Sequence, residues 1–207
     1  MRTLRIKLCG VRTARDAGLC AAAGADEIGV IFALHSRRCV TVKTAGEIRA
    51  ALPARVPLVG VFQNADLGEA LRIGREVGLA AVQLHGTLPA PGGALPLYAA
   101  LQVDGEFALA RLSSLAGFRR VLLDGPAGGG GGVSFAWSLA RKARTLCAAE
   151  LFIAGGLVPE NVAQAIRAAR PDGVDVASGI EGPDGFKDPA RVRAFVDAAR
   201  AAAAEIE

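Results

Sequence analysis

Aromatic residues are scarce in this 207-residue sequence, since phenylalanine, tryptophan and tyrosine together make up 5% of it. Its arginines are scattered along predicted helices and do not alternate with aromatics. That pattern is typical of a solvated helix surface, not of a nucleic-acid-binding face. Cysteine is also sparse, and the four cysteines show no C-x-x-C spacing. The sequence therefore predicts neither a zinc site nor a redox dithiol.

Long apolar runs are missing as well. The first ten residues, MRTLRIKLCG, contain no apolar segment typical of a secretory signal, and no run elsewhere is long enough to span a bilayer. No charge run, serine-rich linker or change of composition separates two domains. We therefore expect a cytoplasmic protein with reduced thiols, no membrane partner and one domain over residues 1–207.

Hydrophobic residues are plentiful, at 52% of the chain, and alanine and glycine dominate. A chain of this length can bury one sizeable core, and small residues suit close packing of helices on a sheet. The net charge of +4 is modest. A mildly positive field favours an anionic small molecule as the substrate.

Strand-like and helix-like segments alternate from end to end, which is typical of an α/β fold with a parallel sheet. No G-x-G-x-x-G follows the first strand, which argues against an open dinucleotide-binding sheet. Eight strands predict instead a closed (β/α)8 barrel, the TIM-barrel fold. The predicted strands are Leu4 to Cys9, Glu27 to Phe32, Pro57 to Phe62, Ala81 to Leu84, Leu97 to Val103, Arg120 to Leu123, a run from Leu151, and a run containing Val174 and Val176. Helices are predicted over about 13–24, 42–52, 66–77, 107–115 and 135–148, after Gly156, and from about Asp188 to the end.

The segment GTLPAPGGALP, Gly86 to Pro96, interrupts this alternation. Three prolines and three glycines in eleven residues are incompatible with a normal helix. Eleven residues are also near the minimum for a parallel crossover. We predict that the helix between the fourth and fifth strands is missing or reduced to one turn.

The stretch from Leu151 to Glu181 reads as strand, helix and strand. Pro159 suits the first turn of that helix, and Val162, Ala165, Ile166 and Ala169 recur at helical spacing. Glycine-containing turns, Gly155-Gly156 and Ser178-Gly179, follow its two strands. Such turns let backbone N–H groups approach an anion, and the last two strands of a barrel are a frequent phosphate site. The alternative is that these glycines serve only tight turning.

Barrel active sites lie where the strands end. Cys9 ends the first strand as either a small buried hydrophobe or, with a nearby cation such as Lys7, a base that takes a proton from carbon. Asp124 ends the sixth strand as either a turn former or a proton donor whose pKa burial raises. The strand ends and the second loop supply Cys9, Phe32, Arg37, Arg38, Phe62, His85, Asp104, Asp124, Gly155 and Ser178.

Arg37 and Arg38 are adjacent in this second loop. One of them could grip a carboxylate in bidentate fashion, leaving the other in solvent. His85 is most simply a hydrogen-bonded polar group. Without a histidine pair or carboxylate cluster, the sequence predicts no metal site.

Taken together in this order, these segments resemble the phosphoribosylanthranilate isomerase family of tryptophan biosynthesis. The matching segments span nearly the whole chain. They are KLCGVRTARDA (7–17), AGADEIGVIF (23–32), SRRCV (36–40), VGVFQN (59–64), QLHG (83–86), LLD (122–124), GGGGVSFAW (129–137), AGGLVPENV (154–162), GVDVASGIE (173–181) and GFKD (185–188).

The resemblance implies a cofactor-free Amadori rearrangement by an aldose–ketose isomerase, working as a monomer or homodimer. N-(5-phosphoribosyl)anthranilate would become 1-(2-carboxyphenylamino)-1-deoxyribulose 5-phosphate. By position, Asp124 would be the general acid that opens the ring, and Cys9 the general base at C2. Arg38 would hold the anthranilate carboxylate. The remaining implied substrate contacts are Gln83, His85 and Asp175, with the backbone of Gly155, Gly156, Ser178 and Gly179 at the phosphate.

The chain departs from the family pattern in places that bear on efficiency and substrate range. A carboxylate expected at the start of one helix is Ala136, and the preceding glycine loop reads GGGG instead of GGTG. Thr87-Leu88 replaces an acidic pair after QLHG. The remaining departures are Arg37, Cys39 and Ala177.

Three other functions remain open from sequence. An indole-glycerol-phosphate synthase would need catalytic lysines at strand ends, where Lys7 is the one candidate, and a ribulose-phosphate epimerase would need metal-binding histidines, whereas the chain has only His35 and His85. The third is a non-catalytic barrel, derived from the isomerase, that binds a phosphorylated ligand. The retention of Cys9 and Asp124 argues against this last alternative.

Overall fold

A computed structural model describes residues 3–103, 109–125 and 137–206 of the chain. Its eight strands are all parallel and close into a barrel, with β1 hydrogen-bonded to both β2 and β8. The (β/α)8 prediction is confirmed. The strands are β1 (Arg5–Leu8), β2 (Glu27–Ile31), β3 (Leu58–Gln63), β4 (Ala81–His85), β5 (Leu97–Gln102), β6 (Arg120–Asp124), β7 (Glu150–Ala154) and β8 (Gly173–Val176).

The outer layer is helical. Several helices begin at a side-chain cap that accepts a hydrogen bond from the N–H three residues later: Thr13, Thr41, Asp66 and Asp188. Pro189 follows the last of these caps, where its missing N–H has no cost. The helices are α1 (Ala14–Ala22), α2 (Val42–Ala51), α3 (Leu67–Val77), α4 (Trp137–Leu146), α5 (Val162–Ala169) and α6 (Pro189–Ala204), with 3-10 helices at Leu109–Leu115 and Ser178–Ile180.

No helix connects β4 to β5, as the proline- and glycine-rich segment predicts, and residues 86–96 cross over as bends and irregular backbone. Leu88 and Leu95 from this segment pack against the hydrophobic core instead. Gly74 of α3 makes room for it, since a Cβ there would lie 2.5 Å from Leu95 Cδ1. An irregular segment therefore covers the sheet where a helix is absent.

Two predicted helices differ from the structure. Pro159 does not lie in α5, which begins at Val162 because Asn161 holds a preceding turn. The Asn161 side chain accepts from the Val158 N–H (2.9 Å) and donates to the Gly156 carbonyl (3.0 Å). The predicted helix at 107–115 is 3-10 over Leu109–Leu115, and residues 104–108, Asp104 among them, lie outside the described residues.

Alternate residues of β6 show how the barrel is layered. Val121 and Leu123 belong to the core between sheet and helices, whereas Arg120, Leu122 and Asp124 face the interior at three depths. At the lowest level Arg120 is 1% exposed and pairs with Glu27 and Glu150. Its guanidinium lies 4.1 Å from the Tyr98 ring centroid and 3.6 Å from that of Phe152. These residues close the amino-terminal end of the barrel and leave the other end for a site. They are Arg120, Glu27, Glu150, Tyr98 and Phe152.

Within the described part of the chain, no helix is both long and apolar enough to cross a membrane.

Candidate active site

A cavity of about 290 Å³ opens at the carboxyl ends of the strands. It contains nine of the ten residues to which the sequence assigns a site role; the tenth, Gly179, does not line it. Phe32 and Phe62 do not line it either, and their rings stack on each other at 4.9 Å. The nine are Cys9, Arg38, Gln83, His85, Asp124, Gly155, Gly156, Asp175 and Ser178.

Cys9 extends the line of β1, where its N–H donates to the Val176 carbonyl of β8 (2.8 Å). Its side chain is buried and lies over β2 at Gly29, a residue without a side chain to block it. Burial raises the pKa of the Cys9 thiol above its usual 9.0, and the nearby Lys7 ammonium opposes that rise. The group is therefore a thiol at neutral pH, with a cation beside it that stabilises the thiolate.

Lys7 and Asp175 form a buried ion pair beneath Cys9. They face each other across the β1–β8 seam, with Nζ 2.8 Å from Asp175 Oδ2. Burial alone would lower the pKa of Lys7, but the neighbouring acidic groups, Asp175 foremost, together outweigh it and keep that pKa above its usual value. Among the described residues, Asp175 Oδ1 has no hydrogen-bond partner. Asp175 therefore offers the cavity one unused acceptor.

Asp124 ends β6 with its side chain in the cavity. Burial, with the charge of Asp175 as a smaller contribution, raises the pKa of Asp124 from its usual 3.8 to about 6. The carboxyl group therefore holds its proton to a much higher pH than a solvated aspartate would. A carboxyl in this state can donate a proton near neutral pH.

Gln83 and His85 are neighbours on the inward face of β4. The Gln83 Nε2 atom lies 2.9 Å from His85 Nε2. Burial lowers the pKa of His85 to about 4, and the charge of Lys7 adds to the effect. The imidazole is therefore neutral. With the Gln83 amide as donor, its Nε2 accepts and its Nδ1 carries the proton.

Arg38 reaches the cavity, but its guanidinium is already paired with Glu181. Arg38 Nε and Nη2 donate to the two carboxylate oxygens at 2.5 and 2.8 Å. Burial alone would raise the pKa of Glu181, but the hydrogen bonds and charges of Arg38 and Lys187 together outweigh it and hold that pKa below its usual value. Arg37, exposed as predicted for one of the two arginines, also bonds Glu181 (2.9 Å). Buried Lys187 is a third cation on Glu181, at 3.2 Å.

Glu181 and Lys187 are the site residues that sequence reasoning missed. Both fall inside matching segments, GVDVASGIE and GFKD. The available signal was that a glutamate and a lysine follow the eighth strand, where a barrel places residues next to its first loops. The pairing of Glu181 with Arg38, 143 positions away, has no local signature.

The glycine turns follow β7 and β8, whereas Arg38 lies in the loop after β2. Gly155 and Gly156 have φ of 86° and 65°, and a Cβ on Gly155 would lie 2.7 Å from Gly125 Cα. Only glycine fits such a turn. Ser178 begins a 3-10 helix and is exposed, whereas Gly179 is buried against the Leu157 carbonyl. Three of the four residues of the predicted phosphate cradle thus line the cavity.

No cluster of three or more histidine, cysteine, aspartate or glutamate side chains suited to a metal ion occurs in the described ranges. The glycine loop 128–132 and Ala136 lie outside the described residues.

Comparison with known proteins places this geometry in a family. Residues 6–198 match the model of N-(5'phosphoribosyl)anthranilate (PRA) isomerase. An N-(5'-phosphoribosyl)anthranilate isomerase of Myxococcus xanthus is 42% identical, with 96% of this chain and 97% of that protein covered. Phosphoribosyl anthranilate isomerase from Thermotoga maritima is 35% identical with a TM-score of 0.87, covering 96% of this chain and 99% of that one.

A further solved phosphoribosyl anthranilate isomerase is in complex with reduced 1-(o-carboxyphenylamino)-1-deoxyribulose 5-phosphate. It is 33% identical to this chain, with a TM-score of 0.84 and coverage of 96% and 99% of the two chains. The match with the family model and the relatives extends over nearly the whole barrel. This chain belongs to the N-(5'-phosphoribosyl)anthranilate isomerase family and is an isomerase.

Proposed function

We propose that the protein converts N-(5'-phosphoribosyl)anthranilate into 1-(2-carboxyphenylamino)-1-deoxyribulose 5-phosphate in tryptophan biosynthesis. The observation that carries the proposal is the shared cavity of Cys9, Asp124 and Arg38, which also contains the Gly155-Gly156 turn. These supply a base, an acid, a carboxylate ligand and a phosphate ligand. The rearrangement moves protons within one molecule, so it draws on no cofactor.

Asp124 acts as the general acid. It protonates the furanose ring oxygen, and the ring opens to a Schiff base. The raised pKa of Asp124, about 6, supports this role because a solvated aspartate would have lost its proton at neutral pH.

Cys9 acts as the general base. Its thiolate removes the C2 proton and leaves an enolamine, which tautomerises to the ketone. Lys7 and Lys187 both lower the pKa of Cys9 against the effect of burial, and so increase the thiolate fraction. Cys9 directly follows β1 and Asp124 ends β6, with β7 and β8 between them in the barrel. An acid and a base at these two positions can reach different faces of the sugar.

The two ends of the substrate bind away from the reacting carbons. Arg38 holds the anthranilate carboxylate, and the turns at Gly155, Gly156, Ser178 and Gly179 hold the phosphate through backbone N–H groups. Gln83, His85 and Asp175 contact the middle of the molecule. Lys7 does not line the cavity and is paired with Asp175, which disfavours a synthase that would use it as a catalytic lysine.

Loss of anthranilate-substrate fluorescence tests the proposal with the wild type, Cys9→Ser and Asp124→Asn. We expect turnover by the wild type and a fall of roughly two orders of magnitude or more in both variants. Equal rates in all three proteins would contradict the assigned mechanism. A wild type that binds the phosphorylated substrate without consuming it would favour a non-catalytic binder.

A further inference from the structure

We propose that Glu181 is a positioning residue that orients Arg38 toward the substrate carboxylate and thereby sets the preference for a carboxylated arylamine. The inference rests on the proposed function, because it concerns how that function selects its substrate. Glu181 does not line the cavity, so it acts through Arg38.

Arg38 is held along its whole length. Its aliphatic part lies over Gly10, where a Cβ would come 2.5 Å from Arg38 Cδ, and Gly10 has a φ of 70° that favours glycine. At the far end, Nε and Nη2 both donate to Glu181. Nη1 is left without a partner among the described residues. A bidentate pair fixes the plane of the guanidinium as well as its position, so the remaining nitrogen has one direction in which to donate.

Glu181 is itself fixed by a tight turn after β8. It forms an antiparallel bridge with Lys187, and the Gly182 N–H donates to the Phe186 carbonyl (2.9 Å). Lys187 Nζ donates both to Glu181 and to the Ala177 carbonyl (2.9 Å). From the first loop of the barrel, Arg12 donates to the Gly185 carbonyl (2.6 Å) and lies 4.1 Å from the Phe186 ring centroid.

Charge also favours a directing role. Arg37, Arg38 and Lys187 surround a single carboxylate, so this cluster retains a positive excess that suits an anion. Glu181, which does not line the cavity, pairs with the Nε and Nη2 atoms of Arg38, which does. The competing explanation is that Glu181 serves only to neutralise buried Lys187, and the experiment below separates the two.

The test compares two ligands that differ by one carboxylate. They are reduced 1-(o-carboxyphenylamino)-1-deoxyribulose 5-phosphate and its counterpart made from aniline, each titrated calorimetrically into the wild type and Glu181→Gln. Glutamine offers one acceptor oxygen where glutamate offers two, so the Arg38 fork becomes monodentate. We expect the wild type to prefer the carboxylated ligand, and the variant to lose roughly tenfold or more of that preference.

If Glu181 had a purely structural role, Glu181→Gln would weaken the binding of both ligands equally. The ratio of the two affinities would then stay unchanged, and this result would overturn the inference. Arg37→Ala is the matched control, since Arg37 bonds the same carboxylate but is 68% exposed and does not line the cavity. Its ratio should stay at the wild-type value.

Glu181→Gln combined with Lys187→Met removes the buried cation together with its partner and covers the case in which the single variant folds poorly. In this double variant the preference for the carboxylated ligand should remain low, because Arg38 still lacks the Glu181 carboxylate. A return to the wild-type ratio would show that Glu181 serves Lys187 alone. Failure of the wild type to bind either ligand would overturn the proposed function itself, a result distinct from an unchanged ratio.

Discussion

Gly29 lies so close to Cys9 that a Cβ on Gly29 would come 2.6 Å from the Cys9 Sγ atom. The thiol thus occupies space that β2 leaves empty, and the sequence of one strand decides where the side chain of its neighbour can lie. The same Cβ would also come 3.1 Å from Cys9 Cα, so the neighbour cannot yield by a simple side-chain rotation.

Gly29→Ala should therefore displace the proposed base while retaining the barrel. We expect kcat to fall by roughly 100-fold, because a shift of about 1 Å in a reacting group can have an effect of that size. Steady-state turnover measures it, and circular dichroism checks the fold. Gly46→Ala is the control: a Cβ at Gly46 in α2 would meet nothing within 4 Å, so its kcat should match the wild type. Unchanged turnover in Gly29→Ala would argue against Cys9 as the base.

The pH dependence of kcat/KM should show a plateau with a fall on each side. Asp124 must be protonated and Cys9 ionised, yet the pKa of Asp124 is about 6 and that of Cys9 lies above 9.0. Between these values the loss of Asp124 protons and the gain of Cys9 thiolate cancel, so the reactive fraction is small and constant. It falls below the Asp124 pKa and above the Cys9 pKa.

A series of initial rates from pH 5 to 10 measures this profile. A kcat/KM that climbs steadily through neutral pH to the Cys9 pKa would mean that Asp124 is not the acid.

Asp124→Asn should stabilise the protein at high pH. Burial raises the folded-state pKa of Asp124 from 3.8 to about 6, so this group favours folding at low pH and that contribution is lost as pH rises through about 6. The Asp124→Asn variant has no carboxyl group at this position, so it does not lose stability in this way as pH rises. We expect the free energy of unfolding of the variant, relative to that of the wild type, to be higher at pH 8 than at pH 4 by roughly 2–3 kcal/mol. Urea unfolding at the two pH values measures it, and a constant difference would contradict the raised pKa.

Arg120→Met should lower the free energy of unfolding of the barrel substantially and leave kcat unchanged. Arg120 and Glu27 are each 1% exposed in side chain, with Arg120 Nη1 2.6 Å from Glu27 Oε2. Removing the cation breaks this buried pair and leaves Glu27 with Arg5, a partner whose side chain is 35% exposed. Breaking a buried pair typically costs about 3–5 kcal/mol. Thermal and urea unfolding measure the loss, and kcat near the wild-type value is expected in the protein that remains folded.

The comparison variant is Arg72→Ala. Arg72 bonds Glu69 and Glu76 on the solvent face of α3, where all three side chains are about half exposed. Its removal should change stability little, because exposed pairs are screened by solvent. An effect as large as that of Arg120→Met would mean that burial is not what makes the interior pair important.

Local patterns were enough to predict the strands, most helix starts and the irregular crossover. Thr13 and Asp188 are residues whose side chains cap helix starts, and both positions were predicted. The prolines of residues 86–96 exclude a helix between β4 and β5. The prediction that Pro159 lies in the first turn of α5 was wrong, because the Asn161 side chain donates to the Gly156 carbonyl and holds a turn before the helix begins. Propensity alone does not describe such a contact.

Residues that line the cavity were predictable where the family resemblance pointed to a position at or near a strand end, as for Cys9, Asp124 and Asp175. Partners joined by barrel closure were not. Arg38 and Glu181 are 143 positions apart and Arg120 and Glu27 are 93 apart, so neither pair leaves a periodic or local signal. Each pairing depends on which strands become neighbours and at what depth their side chains meet.

The seam between β1 and β8 has one more consequence. It joins Lys7 to Asp175 across a separation of 168 positions, and it carries Cys9 to within hydrogen-bonding distance of the Val176 backbone. If β1 and β8 have not paired, the chain contains every proposed reactive group, but these groups do not form a site. The proposed activity therefore requires pairing of β1 with β8, and the recovery of activity during refolding would report when that pairing forms.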